Sequence, residues 1–325
     1  MFATDNKHQT GISVMLTVEG ASCMNEWNEA IQQMIDWLEE HLTDHPTLLD
    51  MSKQIGYSPY YCSSQFHRVV GKTLKSYIAG RRLCRAALEI RDTNARILDI
   101  AVKYGFSSQQ ALSRAFADAY GISPAAYRKN PSPVPFSPKK AVLFPEYYID
   151  YYQKKGEPTM NQTILTKPNI RVEYIPAHKF IGIWDDKADH YFAFWEHRNC
   201  DELCGILESM SHVMHPVLPC HTGGWFWRDG KRGYCYGMGV PLDYSGEVPD
   251  GFALRTFPES YYLVFYHPAF DYLKDCDEVV SRVEKLAWNY NPADSGFVWN
   301  ETDCQDYQRH MPETIGYEVL RPVRK

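Results

Sequence analysis

Apolar positions along this chain change their period once. From residue 27 to about 130 they recur at helical spacing. Beyond about 165 they gather in short runs rich in Val, Ile, Phe, Tyr and Trp, interrupted by proline and glycine. Residues 27–42 place Ile31, Met34, Ile35 and Leu38 on one face, which predicts an amphipathic helix. Thr47 stands three residues ahead of Asp50, a capping-box start for a second helix through Gln54. Ile55-Gly56-Tyr57 breaks that helix. Ser58-Pro59 opens a third, with a hydroxyl at the N-cap and proline at the first helical position, and Gly71 ends it.

The same unit then returns. Residues 55–71 (IGYSPYYCSSQFHRVVG) and 104–121 (YGFSSQQALSRAFADAYG) both read glycine, aromatic, serine, then a short helix with a phenylalanine near its end (Phe66, Phe116), then glycine. Each follows a short helix with an apolar seam: Leu48, Met51 and Ile55 in one, Ile97, Ile100, Ala101 and Tyr104 in the other. A glycine between two short helices suits a helix-turn-helix, because the turn needs a residue without a β-carbon. The helical stretch Leu74 to Ile90 joins the two units.

On GYSPYYCSSQF, GKTLKSYIAGRRLCRAA, ILDIAVKYGFSSQQALSRAF and YGISPAAYRKN, the region from about 27 to 130 resembles the AraC/XylS family. The resemblance implies an all-α double helix-turn-helix domain over 24–130. Its two recognition helices would enter successive major grooves on one face of double-stranded DNA. Neighbouring turns of the groove lie about 34 Å apart, a span that one rigid connecting helix can bridge.

Periodicity separates the faces of the recognition helices. In the second, Ala111, Leu112, Ala115 and Phe116 form the core stripe, while Gln109, Gln110, Ser113 and Arg114 project outward. Glutamine can bond adenine twice and arginine guanine twice, so these types can read base edges. In the first, Tyr60, Ser63, Ser64 and His67 occupy the matching face, with Cys62 and Phe66 turned inward. Their short or aromatic groups suit a lighter share of the reading. Arg68, Lys72, Lys75, Arg81, Arg82 and Arg85 flank the helices and suit phosphates, with pairing of Arg81 and Arg85 to Glu89 or Asp92 as the alternative.

A net charge of −6 argues against a DNA binder until its distribution is read. Residues 51–130 carry 13 Lys/Arg against 4 Asp/Glu, residues 1–50 carry 1 against 9, and residues 131–325 carry 20 against 27. A basic segment inside an acidic chain is the footprint of a phosphate-binding module. The 325 residues exceed one ordinary core, so two domains are expected, and no apolar run reaches the length of a membrane span. Nine cysteines fit no disulfide or zinc spacing, which points to reduced thiols, and with the absence of a secretory leader pattern to the cytoplasm.

Five prolines in 131–145 close the helical domain and open a stiff linker, taken as 131–164. The 165–325 region repeats internally. Residues 170–184 and 252–267 both read strand, proline turn, strand, with Pro176 matching Pro258. A helix (191–212, 271–290) and further strands (223–240, 296–323) follow each. A doubled β-α-β-β unit of this kind forms an α+β sheet domain with helices on one face and a cleft at the pseudo-twofold.

Through YCYGMGVPLDYSGEVPDGFALRTFPESYYLVFYH and the closing IGYEVLRPV, this half resembles the GyrI-like effector-binding domain. The resemblance implies a small organic effector, bulky and often cationic or aromatic, held in an aromatic cleft. Trp225, Trp227, Tyr236, Trp299 and Tyr307, with Tyr234, are the candidates to line it, and the alternative is that such rings are core. Many relatives carry a glutamate where this chain has Gln305, which shifts the expectation toward a neutral or polar ligand unless Glu301, Asp303 or Asp306 substitutes.

These readings converge on a transcription regulator responding to an effector, acting as a monomer on DNA, with RNA polymerase as a further partner and no membrane, cofactor, metal or catalysis. The alternatives are a GyrI-like hydrolase or sequestering protein bearing a DNA-binding domain, and an architectural DNA binder, which the acidic second half disfavours. His212, His215, Cys220 and His221 fit no tight zinc pattern, and Cys200 and Cys204, one helical turn apart, read as helix packing. Residues 1–23, with one lysine and two acids, read as a dispensable tail or an over-long start, with Met24 the working initiator and Asn25 the N-cap of the first helix. The competing reading gives Ile12, Val14, Leu16 and Val18 to an edge strand.

Overall fold

The computed structural model describes residues 18–142, 169–219, 222–311 and 316–325, with side chains from Trp27 onward. The proposed strand residues Ile12, Val14 and Leu16, the linker beyond 142, and Cys220 with His221 lie outside the described residues. Helix α1 runs Val18–Glu40, so Asn25 lies inside it and is not its N-cap.

The capping box forms. Thr47 N–H donates to Asp50 Oδ2 at 3.1 Å and Asp50 N–H to Thr47 Oγ1 at 3.2 Å, at the head of α2 (Leu48–Ile55). Such a cap stabilises a helix by about 1 kcal/mol. Gly56 (φ 80°) turns the chain into α3 (Pro59–Val70), capped by Ser58. Helix α4 (Leu74–Asp92) follows, then α5 (Ile97–Lys103), α6 (Gln109–Tyr120) and α7 (Pro124–Lys129). Gly105 repeats the left-handed turn (φ 78°), and a β-carbon there would sit 2.8 Å from the His45 ring. Conformation and space both demand glycine.

Helix α4 divides the helical domain into two cores. Its first turns give Leu74 and Tyr77 to a cluster with Ile31, Ile35, Leu38, Met51, Cys62 and Phe66. Its later turns give Leu83, Ala87 and Ile90 to a second cluster with Ile100, Leu112, Phe116 and Tyr127. Each helix-turn-helix unit thus has its own core, and one helix is common to both.

The proline-rich segment 131–142 is docked along its length. Val134 and Phe136 enter the second core and Val142 the first. Gln32 Oε1 accepts from Val142 N–H at 2.8 Å. On its other side this strap meets the sheet domain: Val134 N–H donates to Ser209 Oγ at 3.0 Å, and Lys140 Nζ to both Asp201 oxygens at 3.0 and 3.1 Å. Arg91 adds bonds to the Ser209 carbonyl at 2.8 Å and Ser211 Oγ at 3.1 Å.

The second domain is one antiparallel sheet. Its strands are β1 (Asn169–Ile175), β2 (His178–Asp185), β3 (Thr222–Arg228), β4 (Lys231–Pro241), β5 (Ala253–Phe257), β6 (Ser260–His267), β7 (Val298–Trp299), β8 (Asp306–Met311) and β9 (Gly316–Arg324). Their order is β1-β6-β9-β8-β3-β4-β2-β5, with β7 against β9. Exchanging β1 with β5, β2 with β6, β4 with β9 and β3 with β8 reverses that order onto itself, so the internal repeat is a pseudo-twofold through the β3–β8 pair. The strands flanking each proline turn do not pair with one another. β1 crosses to β6 and β5 to β2, each repeat lending its first strand to the other.

Helices α8 (Tyr191–Trp195), α9 (Cys200–Ser209) and α10 (Tyr272–Asn289) share a large core with one face of the sheet, including Trp225, Tyr234, Tyr236, Leu263, Phe265, Val279, Val283 and Tyr317. The other face gathers Phe180, Phe226, Tyr262, Tyr307 and Leu320. The alternation of apolar residues along β3, β4 and β6 is therefore two-sided, as in a sheet buried on both faces.

Candidate functional site

The outward faces of α3 and α6 carry the residues expected to read bases. On α6, Gln109, Gln110 and Arg114 are exposed and Ser113 is half-buried, while Leu112 and Phe116 are fully buried beneath. On α3, Tyr60 is 83% exposed, Ser64 and His67 are exposed, and Ser63 is half-buried above buried Cys62 and Phe66. Both helices start with a serine N-cap whose side chain accepts a backbone N–H, from Tyr61 in α3 and from Ala111 in α6. On α6 the polar groups fill the first half of the helix behind a capped N-terminus, the end through which helices of this kind approach base edges, whereas on α3 they run from Tyr60 in the first turn to His67 in the last.

The flanking cations divide. Arg68, Lys72, Lys75 and Arg85 are exposed and open to phosphate. Arg81 is not: it is 3% exposed, and its Nε and Nη2 donate to the two Glu39 oxygens at 2.6 and 2.7 Å. Its Nη1 donates to the Ser137 carbonyl of the strap. Arg81 therefore leaves the phosphate set, and its partner is Glu39 instead of Glu89 or Asp92. Arg82 is half-buried, with Nε donating to the Leu42 carbonyl at 2.8 Å, so it secures the end of α1. Glu89 is taken by Lys103 Nζ at 2.7 Å and Tyr104 Oη at 2.9 Å.

In the second domain the six expected ligand residues do not share one cleft. Trp225 and Tyr236 are buried on the helix side of the sheet, and Trp299 packs against the same core. Tyr307 points to the opposite face, its hydroxyl 2.7 Å from His178 Nε2. Strand alternation alone explains this, since β8 shows Asp306, Gln308 and His310 to the helices and Tyr307 away. Gln305 Oε1 accepts the Trp227 N–H at 2.6 Å, so it fastens two strands together, and the Trp227 ring is exposed.

A cation already sits at the aromatic end of the helix-side cluster. The Arg321 guanidinium lies 3.7 Å from the Trp299 ring centroid and 4.9 Å from that of Trp288, and Arg232 lies 4.9 Å from Trp288. Asp306 lies between them, 3.5 Å from Arg232 and 3.6 Å from Arg321, with burial pushing its carboxyl up to about 6 against the pull of both. Glu301 also pairs with Arg321. The acids proposed to replace the missing glutamate, Asp306 and Glu301, are thus spent on the chain's own arginines.

Sequence reasoning missed a different group. Glu284 on α10 is half-buried and accepts the Tyr317 hydroxyl at 2.6 Å. Burial raises its pKa, opposed by the Tyr317 bond and by His190 and Arg232 nearby. Tyr317 also packs edge-on to His310, 5.4 Å between centroids, and His310 to Tyr191 at 6.1 Å. Burial pushes the His310 imidazole down to about 4, which keeps it neutral near pH 7. In the sequence Glu284 looks like one more charge on an amphipathic helix beside Glu278 and Arg282; only its position on the inward-tilted side distinguishes it.

Among the described residues no group of three or more His, Cys, Asp or Glu is placed to hold a metal ion, and no helix is long and apolar enough to cross a membrane.

A protein-family model described as a helix-turn-helix domain matches residues 51–130. The HTH-type transcriptional activator AarP of Providencia stuartii is 40% identical over 30% of this chain and 73% of its own length. The regulatory protein SoxS of Salmonella typhimurium is 42% identical over 31% of this chain and 94% of its own. Among solved structures, an AraC-type regulator from Chromobacterium violaceum matches 33% of this chain and 99% of its own at 22% identity, TM-score 0.31. One named SAV2435, bound to tetraphenylphosphonium, matches 48% and 94% at 16% identity, TM-score 0.36. The duplicated helix-turn-helix, the two serine-capped helices with their polar faces outward, and relatives matched over most of their length lead to one conclusion: the chain belongs to the AraC-type family of helix-turn-helix, DNA-binding transcription regulators.

Proposed function

We propose that this regulator reads base pairs mainly through α6, positions itself through α3 and the cations Arg68, Lys72 and Lys75, and answers to a small organic effector taken up by a GyrI-like second domain. The observation that carries the reading face is the contrast on α6 between exposed Gln109, Gln110 and Arg114 and buried Leu112 and Phe116. Arg114→Ala should weaken binding to the operator by about 1–3 kcal/mol while leaving non-specific affinity nearly unchanged. Lys72→Ala should weaken both alike and flatten the salt dependence. Titrations on operator and scrambled DNA at several salt concentrations check both. Intact operator selectivity in Arg114→Ala would remove α6 from its assigned role.

Both recognition helices lie in one chain, so a monomer suffices on one asymmetric site. Sedimentation of the protein–DNA complex should give one chain per site. A requirement for two chains with a palindromic footprint would overturn this.

The effector reading rests on the half-buried Glu284 carboxylate beside Tyr317, Tyr191 and Tyr234, between α8 and α10. With the Trp288–Trp299 seat held by Arg321, Glu284 is the half-buried acid that can meet a cationic or hydrogen-bond-donating group on an aromatic ligand. A thermal-shift screen of aromatic amines and neutral aromatics on the full chain should select compounds whose affinity falls about tenfold in Glu284→Gln, the loss of one charge-assisted bond. Hits indifferent to Glu284→Gln would place the effector elsewhere.

A further inference from the structure

Helix α9 opens on two cysteines one turn apart, Cys200 and Cys204, with their sulfurs 3.4 Å from each other. Residues four apart on a helix have Cα atoms about 6 Å apart, inside the roughly 4.4–6.8 Å that a disulfide spans. The sulfurs are already in contact. Closing the bond also brings the Cβ atoms from about 5–6 Å, usual at this helical spacing, to about 3.5–4.5 Å, and the pair lies in the first turn and a half of a helix, where backbone adjustment is easiest. Of the cysteines whose side chains are described, Cys200 is exposed and Cys62, Cys84, Cys204, Cys235, Cys276 and Cys304 are buried.

We propose that Cys200 and Cys204 form a peroxide-reactive dithiol that closes reversibly to an intrahelical disulfide. Cys200 is the attacking sulfur. It is the first residue of α9, where the helix dipole favours a thiolate. Its thiol is held below the usual range first by the hydrogen bond from Cys204 and then by the Lys140 ammonium, with burial and Asp201 opposing. Cys204 resolves: it is buried, and its thiol is held far above the usual range chiefly by its bond to Cys200 and then by burial, with the Tyr236 hydroxyl opposing.

The steps balance. The Cys200 thiolate attacks one oxygen of hydrogen peroxide, the O–O bond breaks, and the departing hydroxide takes up the proton lost by the thiol and leaves as water. Cys200 is then a sulfenic acid. This removes the thiolate that held the Cys204 proton, so Cys204 can ionise and attack the Cys200 sulfur. An S–S bond forms, the S–O bond breaks, and a second water leaves. Two thiols are oxidised by two electrons and one peroxide is reduced to two waters. A bond closed within one helical turn is strained, and strained disulfides are the readily reduced kind, which makes the change reversible by ordinary thiols.

The site also has a place in the architecture. Asp201, the first of the three residues between the pair, holds Lys140 of the strap, so closure acts on the first turn that ties the strap to the sheet domain.

The test uses the full chain treated with hydrogen peroxide and analysed as peptides. The expected product is a 200–204 peptide lighter by two hydrogens, restored by dithiothreitol. In Cys204→Ser the sulfenic acid of Cys200 should persist and be captured by dimedone. In Cys200→Ser, Cys204 should stay unmodified. Circular dichroism of both variants confirms that they fold. Sulfinic acid at Cys200 as the main wild-type product, or equal peroxide reactivity of Cys204 in Cys200→Ser, would overturn the proposal.

Discussion

Replacing Arg81 with alanine should cost about 3–5 kcal/mol of stability, because Glu39 would remain as a buried carboxylate with no counter-charge. The pair is bidentate, at 2.6 and 2.7 Å, and both side chains are largely withdrawn from solvent. The third nitrogen of Arg81 also supports the Ser137 carbonyl in the strap, so the same change leaves a main-chain acceptor unpaired. Removing both charges together, as Arg81→Met with Glu39→Leu, should cost far less than Arg81→Ala alone, since no uncompensated ion stays behind. Denaturant titration of the two variants checks this. A single variant within about 1 kcal/mol of the wild type would show that water reaches Glu39 and that the pair belongs to the surface class. In DNA titrations at a temperature where Arg81→Ala is still folded, affinity should change little, because Arg81 does not face the groove.

Gly205→Val should lose about 3 kcal/mol, at the upper end of what overpacking costs, and should loosen the two domains from one another. A β-carbon at Gly205 would lie 2.2 Å from the Phe136 carbonyl oxygen, a backbone atom that cannot rotate away. The strap would have to lift from α9, taking with it the bonds from Val134 to Ser209 and from Lys140 to Asp201. Trypsin should then cut after Lys139 or Lys140 in the variant well before it does so in the parent. Unchanged cleavage and stability would mean that α9 itself yields and the strap stays seated.

What the sequence disclosed tracks how local each feature is. The capping box at Thr47 and Asp50, the serine caps at Ser58 and Ser108 and the left-handed glycines are decided within four residues, and they could be read directly. The core stripes of α3 and α6 follow from one period, so Cys62, Phe66, Leu112 and Phe116 were visible as inward positions. Arg81 was misjudged because its partner is 42 residues distant and on another helix. In a basic stretch, nothing local separates a cation bound to a carboxylate from one left for phosphate. The bond from Arg82 Nε to the Leu42 carbonyl, likewise made across forty residues, has no local signal either.

The second domain shows the same limit more strongly. Its repeat was legible from the two proline turns, but the crossing of β1 to β6 and β5 to β2 was not, because strand order depends on pairings far apart in the chain. The aromatic list failed for a related reason. Tyr307 and Tyr236 each look like a ring on a strand, and only the register of β8 against β3 sends one to each face. Glu284 went unnoticed because the tyrosine that holds it lies 33 residues later, on the last strand.

The lending of strands between the two repeats bears on how the protein is made. As the chain leaves the ribosome, β1 emerges roughly ninety residues before β6, its partner among the described residues, and β2 and β4 can pair well before either edge is complete. Contacts that join segments so far apart form slowly, since a long loop must close before any pairing rewards it. Until β6 arrives, β1 carries unpaired backbone groups with Val172 and Tyr174 on its exposed side, the kind of edge through which unfinished chains associate. The helical domain, whose helices and docked strap all precede β1, can be complete by then. Synthesis thus passes through a stage in which a finished DNA-binding unit trails half a sheet.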